Sequence, residues 1–426
     1  MHIAIEISEG HIVRNLLENG LLDILAGAAK NRVSLISPGV RAPSFTSRYN
    51  RAGVTFCDLG LLEPVGFSRW ENFEFTLGQS LSRRGLHRLR RSLWRWLVEP
   101  GVARRAQREC AFLQEQKPDV VVSTHISQVY GRGLVAAANR MGIPTVGNLN
   151  SWDNAWKGLK VCPKWVTCWS ENDREELRNL ASYDPDQVRV VGAPAFDAYF
   201  APDAQWTRAE LCSRLGLDAA RPILLFATLG QFKQQIDETN PLEALLKAID
   251  AGAIPGNPQV VARLHPWSRE TYFKPLLLHL AVTVSRYEHY VPGLTWTPTR
   301  DEAILAGNLL RHADVIVSPG STMVVEAAIF DTPVVVPVFN EYMPEVFENY
   351  FRQTWLNQHF GRIYKNDWAP LVKSADDMVS AVNHALLEPS WYRKGRAHIR
   401  ENILGLLDGK ATERFAGVII ESAARL

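Results

Sequence analysis

Short apolar runs alternate with segments of helical periodicity along almost the whole chain. The apolar runs are rich in Val, Ile and aromatic residues and therefore predict β-strands. In chain order these strands are His2–Ile7, Val33–Ser37, Val54–Phe56, Asp119–Ser123, Thr145–Asn148, Trp165–Trp169, Val188–Val191, Ile223–Thr228, Gln259–Leu264, Thr295–Thr297, Val315–Ser318 and Val334–Pro337. The clearest predicted helices are Ile12–Lys30, Arg132–Met141, Glu171–Ala181, Leu242–Ala251 and Met323–Phe330.

Nearly continuous apolar strands that alternate with helices indicate parallel sheets covered on both faces. A chain of 426 residues is too long for one ordinary core, so two domains are expected. The sequence predicts an α/β protein with two doubly wound parallel-sheet domains that face a cleft. The predicted ranges are 1–200 for an acceptor-binding N-terminal domain, 201–400 for a donor-binding C-terminal domain, and 401–426 for a helical tail that packs back on the first domain.

The composition, with 46% hydrophobic and 22% charged residues, is typical of a folded protein. The first residues lack the pattern of a signal peptide, and no apolar run approaches the roughly 18 residues that a membrane span needs. The five cysteines are odd in number and have no CxxC spacing, which predicts reduced thiols and no zinc site. We therefore expect a cytoplasmic protein.

Positive charge is concentrated in one segment, Arg83–Arg108. It contains nine arginines and one acidic residue, Glu99, whereas the whole chain has a formal net charge of only +2. Because Trp94, Trp96 and several leucines lie among the arginines, the segment could contact an anionic membrane at its inner face. The alternative is a solvated helix whose tryptophans pack inward, and nucleic acid is not expected as a partner.

One segment, Asp314–Val338, predicts a strand, a tight turn at Ser318–Gly320, a helix and a second strand. A helix N-terminus has unpaired N–H groups and a partial positive charge, so it can bind a phosphate. Gly320 leaves the turn without a Cβ, and Ser321 and Thr322 can cap the helix or bind a phosphate oxygen. An ordinary serine cap in a βαβ unit is the alternative.

Other polar residues follow predicted strands, where parallel sheets bind their ligands. In the second half, His265 and Pro266 follow the strand Gln259–Leu264. Arg263, two residues before His265, lies on the same face of that strand. Gly230 lies in the loop after Ile223–Thr228.

In the first half, Glu9 and His11 follow the first strand, and His125 follows Asp119–Ser123. The next strand is followed by Ser151, Trp152, Asp153 and Asn154. This group is suited to sugar recognition, because the apolar face of a sugar can stack on Trp152 while amide and carboxylate groups bind the sugar hydroxyls. An Asx-type turn that starts a helix is the alternative for this group.

Several short motifs resemble a known family. They are HPW at His265–Trp267, SPGSTMVVEAA at Ser318–Ala328, SWDNAWKG at Ser151–Gly158, VVGAP at Val190–Pro194 and EAAIFDTPVV at Glu326–Val335. With two doubly wound halves, they resemble glycosyltransferases of the GT-B fold, whose two domains are Rossmann-like. Within that fold they are similar to bacterial capsule, polysialyl and polyol-phosphate transferases.

The resemblance implies a glycosyltransferase that needs no metal and no cofactor and moves a sugar from a nucleotide-sugar donor to a lipid-linked or polysaccharide acceptor. It implies a donor site made by Gly230, Arg263, His265, Pro266, Gly320, Ser321, Thr322 and Glu326. In this site His265 contacts the donor phosphate, Ser321 and Thr322 lie opposite, and Glu326 holds ribose hydroxyls. For Glu326, a helix–helix contact is the alternative.

Retaining GT-B enzymes often have two glutamates eight positions apart in this helix, but Ser318 stands where the first would be. This departure favours an inverting reaction, which needs a general base for the acceptor hydroxyl. The candidates are His11, Glu9 and Asp153. The expected acceptor-binding residues are His125, Ser151, Trp152 and Asn154.

Three other functions remain open. They are transfer of a polyol phosphate from a CDP donor, epimerisation of a UDP-sugar by a non-hydrolysing 2-epimerase, and a non-catalytic role as a scaffold. The chain has no P-loop, dinucleotide-binding loop or nucleophile elbow, which argues against kinases, dehydrogenases and hydrolases. The DxD sequence at Asp184–Asp186 precedes its strand, so we interpret it as a turn.

Overall fold

The structure is a computed structural model that describes residues 1–27, 31–60, 77, 81, 86–230, 238–268, 270–352, 360–361 and 368–424. The chain divides into two compact units. Unit 1 comprises Met1–Asp197, His289–Arg300 and Ile403–Leu426. Unit 2 comprises Ala198–Glu288 and Asp301–Asn402.

The strands confirm the predicted ones to within about one residue at each end. They are β1 His2–Glu6, β2 Arg32–Ile36, β3 Val54–Cys57, β4 Val120–Ser123, β5 Thr145–Asn148, β6 Trp165–Cys168, β7 Val188–Val190, β8 Ile223–Ala227, β9 Gln259–Arg263, β10 Val282–Ser285, β11 Tyr290–Val291, β12 Thr295–Trp296, β13 Val315–Val317, β14 Val334–Pro337 and β15 Leu371–Val372. Three of these were not predicted from the sequence, namely β10, β11 and β15.

The sheet of unit 1 has the strand order β3-β2-β1-β4-β5-β6-β7, and its neighbouring strands are parallel. The order reverses between β1 and β4, which makes this pair the topological switch point where doubly wound sheets bind ligands. Glu6 at the end of β1 pairs with Ser123 at the end of β4. The loops after these two strands therefore start side by side.

The sheet of unit 2 has the order β10-β9-β8-β13-β14-β15, again with parallel neighbours. Here the order reverses between β8 and β13. Strands such as Ile223–Ala227 and Gln259–Arg263 are buried at every position, as their mostly apolar sequences predict. The predicted α/β class with two doubly wound parallel sheets is confirmed.

The α-helices cover the apolar faces of the sheets. They are Gly10–Ile12, Leu21–Gly27, Pro43–Tyr49, His87–Leu93, Glu99–Arg105, Gln107–Gln116, Arg132–Arg140, Asn154–Lys157, Glu171–Ala181, Asp197–Phe200, Arg208–Leu215, Thr239–Asp250, Glu270–Leu277, Arg300–His312, Thr322–Glu326, Pro344–Phe351, Ala375–Leu387, Arg393–Ile399 and Ala411–Ala424. In the part of the chain that the structure describes, three stretches are π-helical, namely Val13–Leu17, Trp94–Val98 and Arg400–Leu404.

The first predicted helix, Ile12–Lys30, is wrong as a single element. A π-helical stretch, Val13–Leu17, follows its first turn, and a new helix begins at Leu21. Gly20 separates the two with φ +82°, a left-handed conformation that ends helices. The last residues of the prediction, 28–30, lie outside the described residues.

The segment His289–Arg300 lies within the range predicted for the second domain, but it folds as part of unit 1. It forms an antiparallel hairpin of β11 and β12. The buried residues Val291 and Leu294 join the core of this unit, and the Gly10 N–H donates to the Leu294 carbonyl at 2.9 Å. Apolar burial therefore places this segment, in spite of its position in the sequence.

The helix Ala411–Ala424 packs Phe415 and Ile419 into the same core of unit 1. All five cysteines are free thiols. Among the described residues, no helix is both long enough and apolar enough to cross a membrane.

Candidate functional site

Three predicted side chains meet at the switch point of unit 1, namely Glu9, His11 and His125. The Nδ1 atom of His125 lies 2.5 Å from Glu9 Oε2. The His11 ring packs edge-on against the His125 ring, with ring centres 5.6 Å apart. One donor atom from each of the three residues lies within 4.8 Å of the others. Among the described residues, this carboxylate and two imidazoles also form a group that could hold a metal ion.

The backbone explains why these residues meet. The Thr124 hydroxyl donates to the Glu6 carbonyl at 2.8 Å, which ties the end of β4 to the end of β1. Gly10, between Glu9 and His11, packs directly against the hairpin. A Cβ atom at this position would lie 2.0 Å from the Trp296 carbonyl oxygen, so only glycine fits.

The electrostatics of the cluster favour an ionised carboxylate beside a neutral imidazole. Burial lowers the pKa of His11 to about 4, although the charge of Glu9 opposes this shift. Burial tends to raise the pKa of Glu9, but the hydrogen bond from His125 and nearby positive charges hold it below its ordinary value. An ionised carboxylate only accepts hydrogen bonds, so His125 donates through Nδ1–H, and in the neutral ring Nε2 is the nitrogen with a free lone pair.

A second carboxyl group, Glu6, lies at the end of β1 and was not predicted as a site residue. Its side chain is buried, and it accepts a hydrogen bond from the Ser123 hydroxyl at 3.2 Å. Burial raises the pKa of Glu6, in contrast to the lowered pKa of Glu9. Two nearby carboxyl groups with opposite shifts are typical of acid–base sites. The signal in the sequence was a glutamate inside an otherwise apolar strand.

The group after β5 lies where the sequence predicts, at the start of the short helix Asn154–Lys157. Asp153 is buried, and the Asn154 side-chain amide donates to its Oδ1 at 3.2 Å. Ser151 is half-buried. Trp152 is only 2% exposed, so its rings cannot stack on a sugar. The prediction of Trp152 as a stacking platform is therefore wrong, because core packing covers it.

A different tryptophan lies beside the cluster. Trp296, on strand β12, stacks on the His11 ring with ring centres 6.1 Å apart and planes 23° apart. It is half-buried. Sequence reasoning missed this residue because it lies about 285 positions from His11 in the chain, and only the placement of the hairpin in unit 1 brings the two together.

In unit 2, His265 follows β9 and its ring is fixed by the backbone. Its own N–H donates to the Thr228 hydroxyl at 2.7 Å, and its Nδ1 accepts from the Trp267 N–H at 3.2 Å. The proton of the neutral ring therefore lies on Nε2. Burial lowers the pKa of His265 to about 4, so the ring is neutral at pH 7.

Gly230 and Pro266 flank this histidine. Gly230 has φ +80°, and a Cβ atom there would lie 2.4 Å from His265 Nδ1. The half-buried Pro266 comes directly after the histidine. The loop after β8 and the loop after β9 are thus in direct contact, as the prediction of one shared site requires. The neighbouring residue Gln231 lies outside the described part of the chain.

Arg263, at the end of β9, has a different environment from His265. Its guanidinium is buried, its Nη1 donates to the Ser285 hydroxyl at 2.6 Å, and it lies 4.0 Å from the centre of the Tyr287 ring. Arg263 thus contacts the end of β10 and the residues after it, whereas His265 contacts the loop after β8. Its donor-binding role stays a prediction.

The turn after β13 differs from the predicted phosphate site in one respect. The Ser318 hydroxyl accepts hydrogen bonds from the Gly320 N–H at 3.3 Å and the Ser321 N–H at 3.2 Å. It also donates to the Ser321 hydroxyl at 3.3 Å. Two of the amide groups expected to bind a phosphate are therefore already bonded.

The helix after this turn is short. It runs from Thr322 to Glu326 and continues as a 3₁₀-helix, Ala327–Phe330, and Ser321 caps it without a side-chain hydrogen bond. Thr322 is exposed, and Glu326 Oε2 accepts from the Tyr199 hydroxyl at 2.9 Å. Gly320 has φ +133°, which requires glycine.

No protein-family model and no curated protein matches the chain. Solved structures do match over its full length. A UDP-GlcNAc 2-epimerase from Neisseria meningitidis, bound to UDP-GlcNAc, has a TM-score of 0.58 and 14% identity, with 100% of both chains covered. The chain has the GT-B fold.

Two further structures of this kind support the same conclusion. A glycosyltransferase from Rickettsia africae has a TM-score of 0.51 and 12% identity, over 99% of this chain and 98% of that one. The wall teichoic acid polymerase TagF has a TM-score of 0.55 and 8% identity, over 100% of this chain and 88% of that one. The resemblance to GT-B enzymes predicted from short motifs is therefore confirmed at the level of the fold.

Proposed function

We propose that the protein is a glycosyltransferase that moves a sugar from a nucleotide-sugar donor to a hydroxyl group of a lipid-linked or polysaccharide acceptor. The observation that carries this proposal is the hydrogen-bonded pair of Glu9 and His125 at the switch point of unit 1. It supplies the general base that transfer to a hydroxyl with inversion requires. Synthesis of a bacterial surface glycan is the proposed setting.

In this mechanism the Nε2 atom of His125 accepts the proton of the acceptor hydroxyl as the oxygen attacks the sugar. Glu9 holds the ring in the required tautomer and stabilises the imidazolium that forms. His11, which the sequence analysis named first as the base, instead fixes the His125 ring from its edge. The stacking of Trp296 on His11 supports this positioning role.

The donor is proposed to bind in unit 2. The Nε2–H group of the neutral His265 donates to a phosphate oxygen of the leaving nucleotide, and Gly230 allows a close approach of the backbone. Glu326 with Tyr199 is the proposed contact for ribose hydroxyls. No metal and no cofactor is needed, because fixed hydrogen-bond donors stabilise the departing phosphate.

The protein is proposed to act in the cytoplasm, at the inner face of the cell membrane, where a lipid-linked acceptor would be available. Ser151, which is half-buried, is the proposed acceptor contact in the group after β5. Trp152, Asp153 and Asn154 are not proposed as contacts, since all three are buried.

The test begins with ligand-dependent thermal unfolding in the presence of UDP, GDP, TDP, CMP and CDP. A nucleotide that binds the folded state raises Tm by mass action. The matching nucleotide-sugars are then incubated with glycan and lipid-linked acceptors, and nucleotide release and product mass are measured. Sugar transfer to an acceptor supports the proposal. If no nucleotide changes Tm, a scaffold role is favoured instead.

A UDP-sugar 2-epimerase is the second candidate, because Glu6 and Glu9 have pKa values shifted in opposite directions and could serve as an acid and a base. Full-length similarity to a UDP-GlcNAc 2-epimerase also supports it. Proton NMR of UDP-GlcNAc incubated without an acceptor tests this function. A new sugar isomer would favour the epimerase, whereas an unchanged spectrum favours the transferase.

Transfer of a polyol phosphate from a CDP donor remains the other enzymatic alternative. It would move phosphorus to the acceptor, so a ³²P label on the β-phosphate distinguishes it from sugar transfer.

A further inference from the structure

The helical segment of residues 87–105 has an exposed apolar face. It consists of α-helices His87–Leu93 and Glu99–Arg105 joined by the π-helical stretch Trp94–Val98. Four large apolar side chains on it or just before it are exposed, namely Leu86 at 46%, Leu89 at 51%, Trp96 at 80% and Leu97 at 70%. Their spacing of three, seven and one residues places them on one side of a helix.

The opposite side of this segment is anchored to unit 1. Val98, Val102 and Ala103 are buried together with Ala136 of a neighbouring helix. The Arg132 guanidinium lies 5.3 Å from the centre of the Trp94 ring. Trp94 thus packs inward, as the alternative of a solvated helix predicts, whereas Trp96 is exposed. The anchored helix presents its apolar face in a fixed orientation.

The same segment is rich in positive charge. Nine arginines and one acidic residue lie within 83–108, and Arg88, Arg104, Arg105 and Arg108 are exposed. Arg83 and Arg84 lie outside the described residues. A helix that combines Trp and Leu on one face with many arginines matches the chemistry of a membrane interface, where apolar groups enter the lipid and cations contact phosphate groups.

We propose that this face, with Leu89, Trp96 and Leu97 at its centre, docks on an anionic lipid bilayer. An anionic bilayer is the partner that fits this face best, because its negative headgroups complement the arginines and its interior accepts the apolar side chains. A second copy of the chain would bring two strongly positive faces together, and nucleic acid would leave the exposed leucines in water. The proposal does not require the proposed reaction, but it would bring a transferase to an acceptor held in the membrane.

The experiment is flotation of the full chain with two kinds of vesicle, one of phosphatidylcholine alone and one containing about one third phosphatidylglycerol. The wild type is expected to float with the anionic vesicles and to detach as salt is raised, since salt screens the charges. The variant Trp96→Ala/Leu97→Ala is expected to lose roughly tenfold or more of this binding. Both side chains are exposed, so circular dichroism and Tm should not change.

The matched control is Leu278→Ala/Leu280→Ala, which removes two leucines that are 77% and 104% exposed in unit 2. This control should bind vesicles as the wild type does. Equal binding by Trp96→Ala/Leu97→Ala and the wild type would overturn the proposal, as would equal binding to neutral vesicles. A wild-type dimer in solution that this double variant makes monomeric would also overturn it, because the face would then be an interface between copies. None of these measurements depends on enzymatic activity.

Discussion

Each unit carries its candidate site in loops at the carboxyl ends of its strands, but the chemistry of the two sites differs. At the switch point of unit 1, an ionised Glu9 is bonded to His125. In unit 2 the loops after the strands present a neutral histidine, His265, hydroxyl groups and glycines. A carboxylate with an imidazole can move protons, whereas neutral donors can only bind and stabilise a ligand. Under the proposed function, the residues of unit 1 are suited to proton transfer and those of unit 2 to ligand binding.

The histidines of the two units differ in whether a carboxylate lies beside them. Burial lowers the pKa of both His11 and His265 to about 4, but only His11 has a neighbouring carboxylate that opposes the shift. The backbone fixes the tautomer of His265, while a carboxylate fixes that of His125. A histidine that must exchange a proton needs a charged partner, and one that only donates a hydrogen bond does not.

The largest expected effect comes from removing the proposed base. His125→Ala should lower kcat by about 10²–10⁴, the range that general-base catalysis contributes, with little change in the KM of the donor. Glu9→Gln should also lower kcat, since the amide cannot stabilise an imidazolium. The measurement is the steady-state rate of sugar transfer, with the nucleotide-sugar and acceptor that the assays under Proposed function identify.

The control for this prediction is His279→Ala, which breaks another histidine–carboxylate pair. His279 Nε2 lies 3.0 Å from Asp250 on the surface of unit 2, and its loss should leave kcat unchanged. If His125→Ala keeps wild-type turnover, then the Glu9–His125 pair is structural and the contrast between the two units fails.

Titration of the two half-buried histidines, His11 and His265, should make the free energy of unfolding depend on pH. Their pKa in the folded state is about 4, against 6.5 when unfolded, so the unfolded chain binds more protons between these values. The free energy of unfolding should therefore fall as pH drops from about 6.5 to 4, by up to roughly 3 kcal/mol for each histidine. Above pH 6.5 this contribution is fully present.

Urea unfolding at several pH values checks this prediction. Because carboxyl groups also titrate in acid, the wild type is compared with His11→Gln and with His265→Asn. Each variant should show a shallower decline between pH 6.5 and 4 than the wild type. If the free energy of unfolding falls equally with pH in the wild type and a variant, then the folded state binds the charged form of that histidine as well as the neutral form, and the prediction is wrong.

A smaller effect is expected from removing the donor of unit 2. His265→Ala should cost at least about tenfold in rate, or ~1.4 kcal/mol, because one hydrogen bond to the departing phosphate is lost. His265→Asn keeps an N–H donor on a shorter side chain and should recover part of that rate. Equal rates for the wild type and His265→Ala would remove this residue from the mechanism, provided that Tm at pH 7 shows intact folding.

The sequence predicted the sheets well because the apolar runs of parallel strands are long and continuous. It missed β10, Val282–Ser285, whose residues are mostly half-buried and carry a weaker apolar signal. It also missed the hairpin of His289–Arg300 as a part of unit 1. Local periodicity does not show which core a two-residue strand joins.

The sequence predicted which residues belong to the candidate site, but not which of them contact each other. Glu9, His11 and His125 were each named because they follow strands, but their pairing depends on β1 and β4 being neighbours. His125 was therefore assigned to the acceptor and His11 to the base. The burial of Trp152 and the contact of Trp296 with His11 depend on packing between distant segments, which the sequence pattern does not encode.

The smallest expected effect concerns a turn that occurs in both units. Ser318-Pro319-Gly320 follows β13, and Ser37-Pro38-Gly39 follows β2. In each turn the buried serine hydroxyl accepts from the glycine N–H, at 3.3 Å for Ser318 and 3.1 Å for Ser37. Replacing either serine by alanine should lower the free energy of unfolding by about 1 kcal/mol, because a buried N–H group loses its partner.

The two variants should differ once nucleotide is added. Ser318→Ala leaves the N–H groups of Gly320 and Ser321 available, so a phosphate bound there would regain the lost hydrogen bonds. The nucleotide-induced rise in Tm should then be larger in Ser318→Ala than in the wild type, and unchanged in Ser37→Ala. If the rise is the same in all three proteins, the donor phosphate does not reach the turn after β13, and His265 with Gly230 must hold it alone.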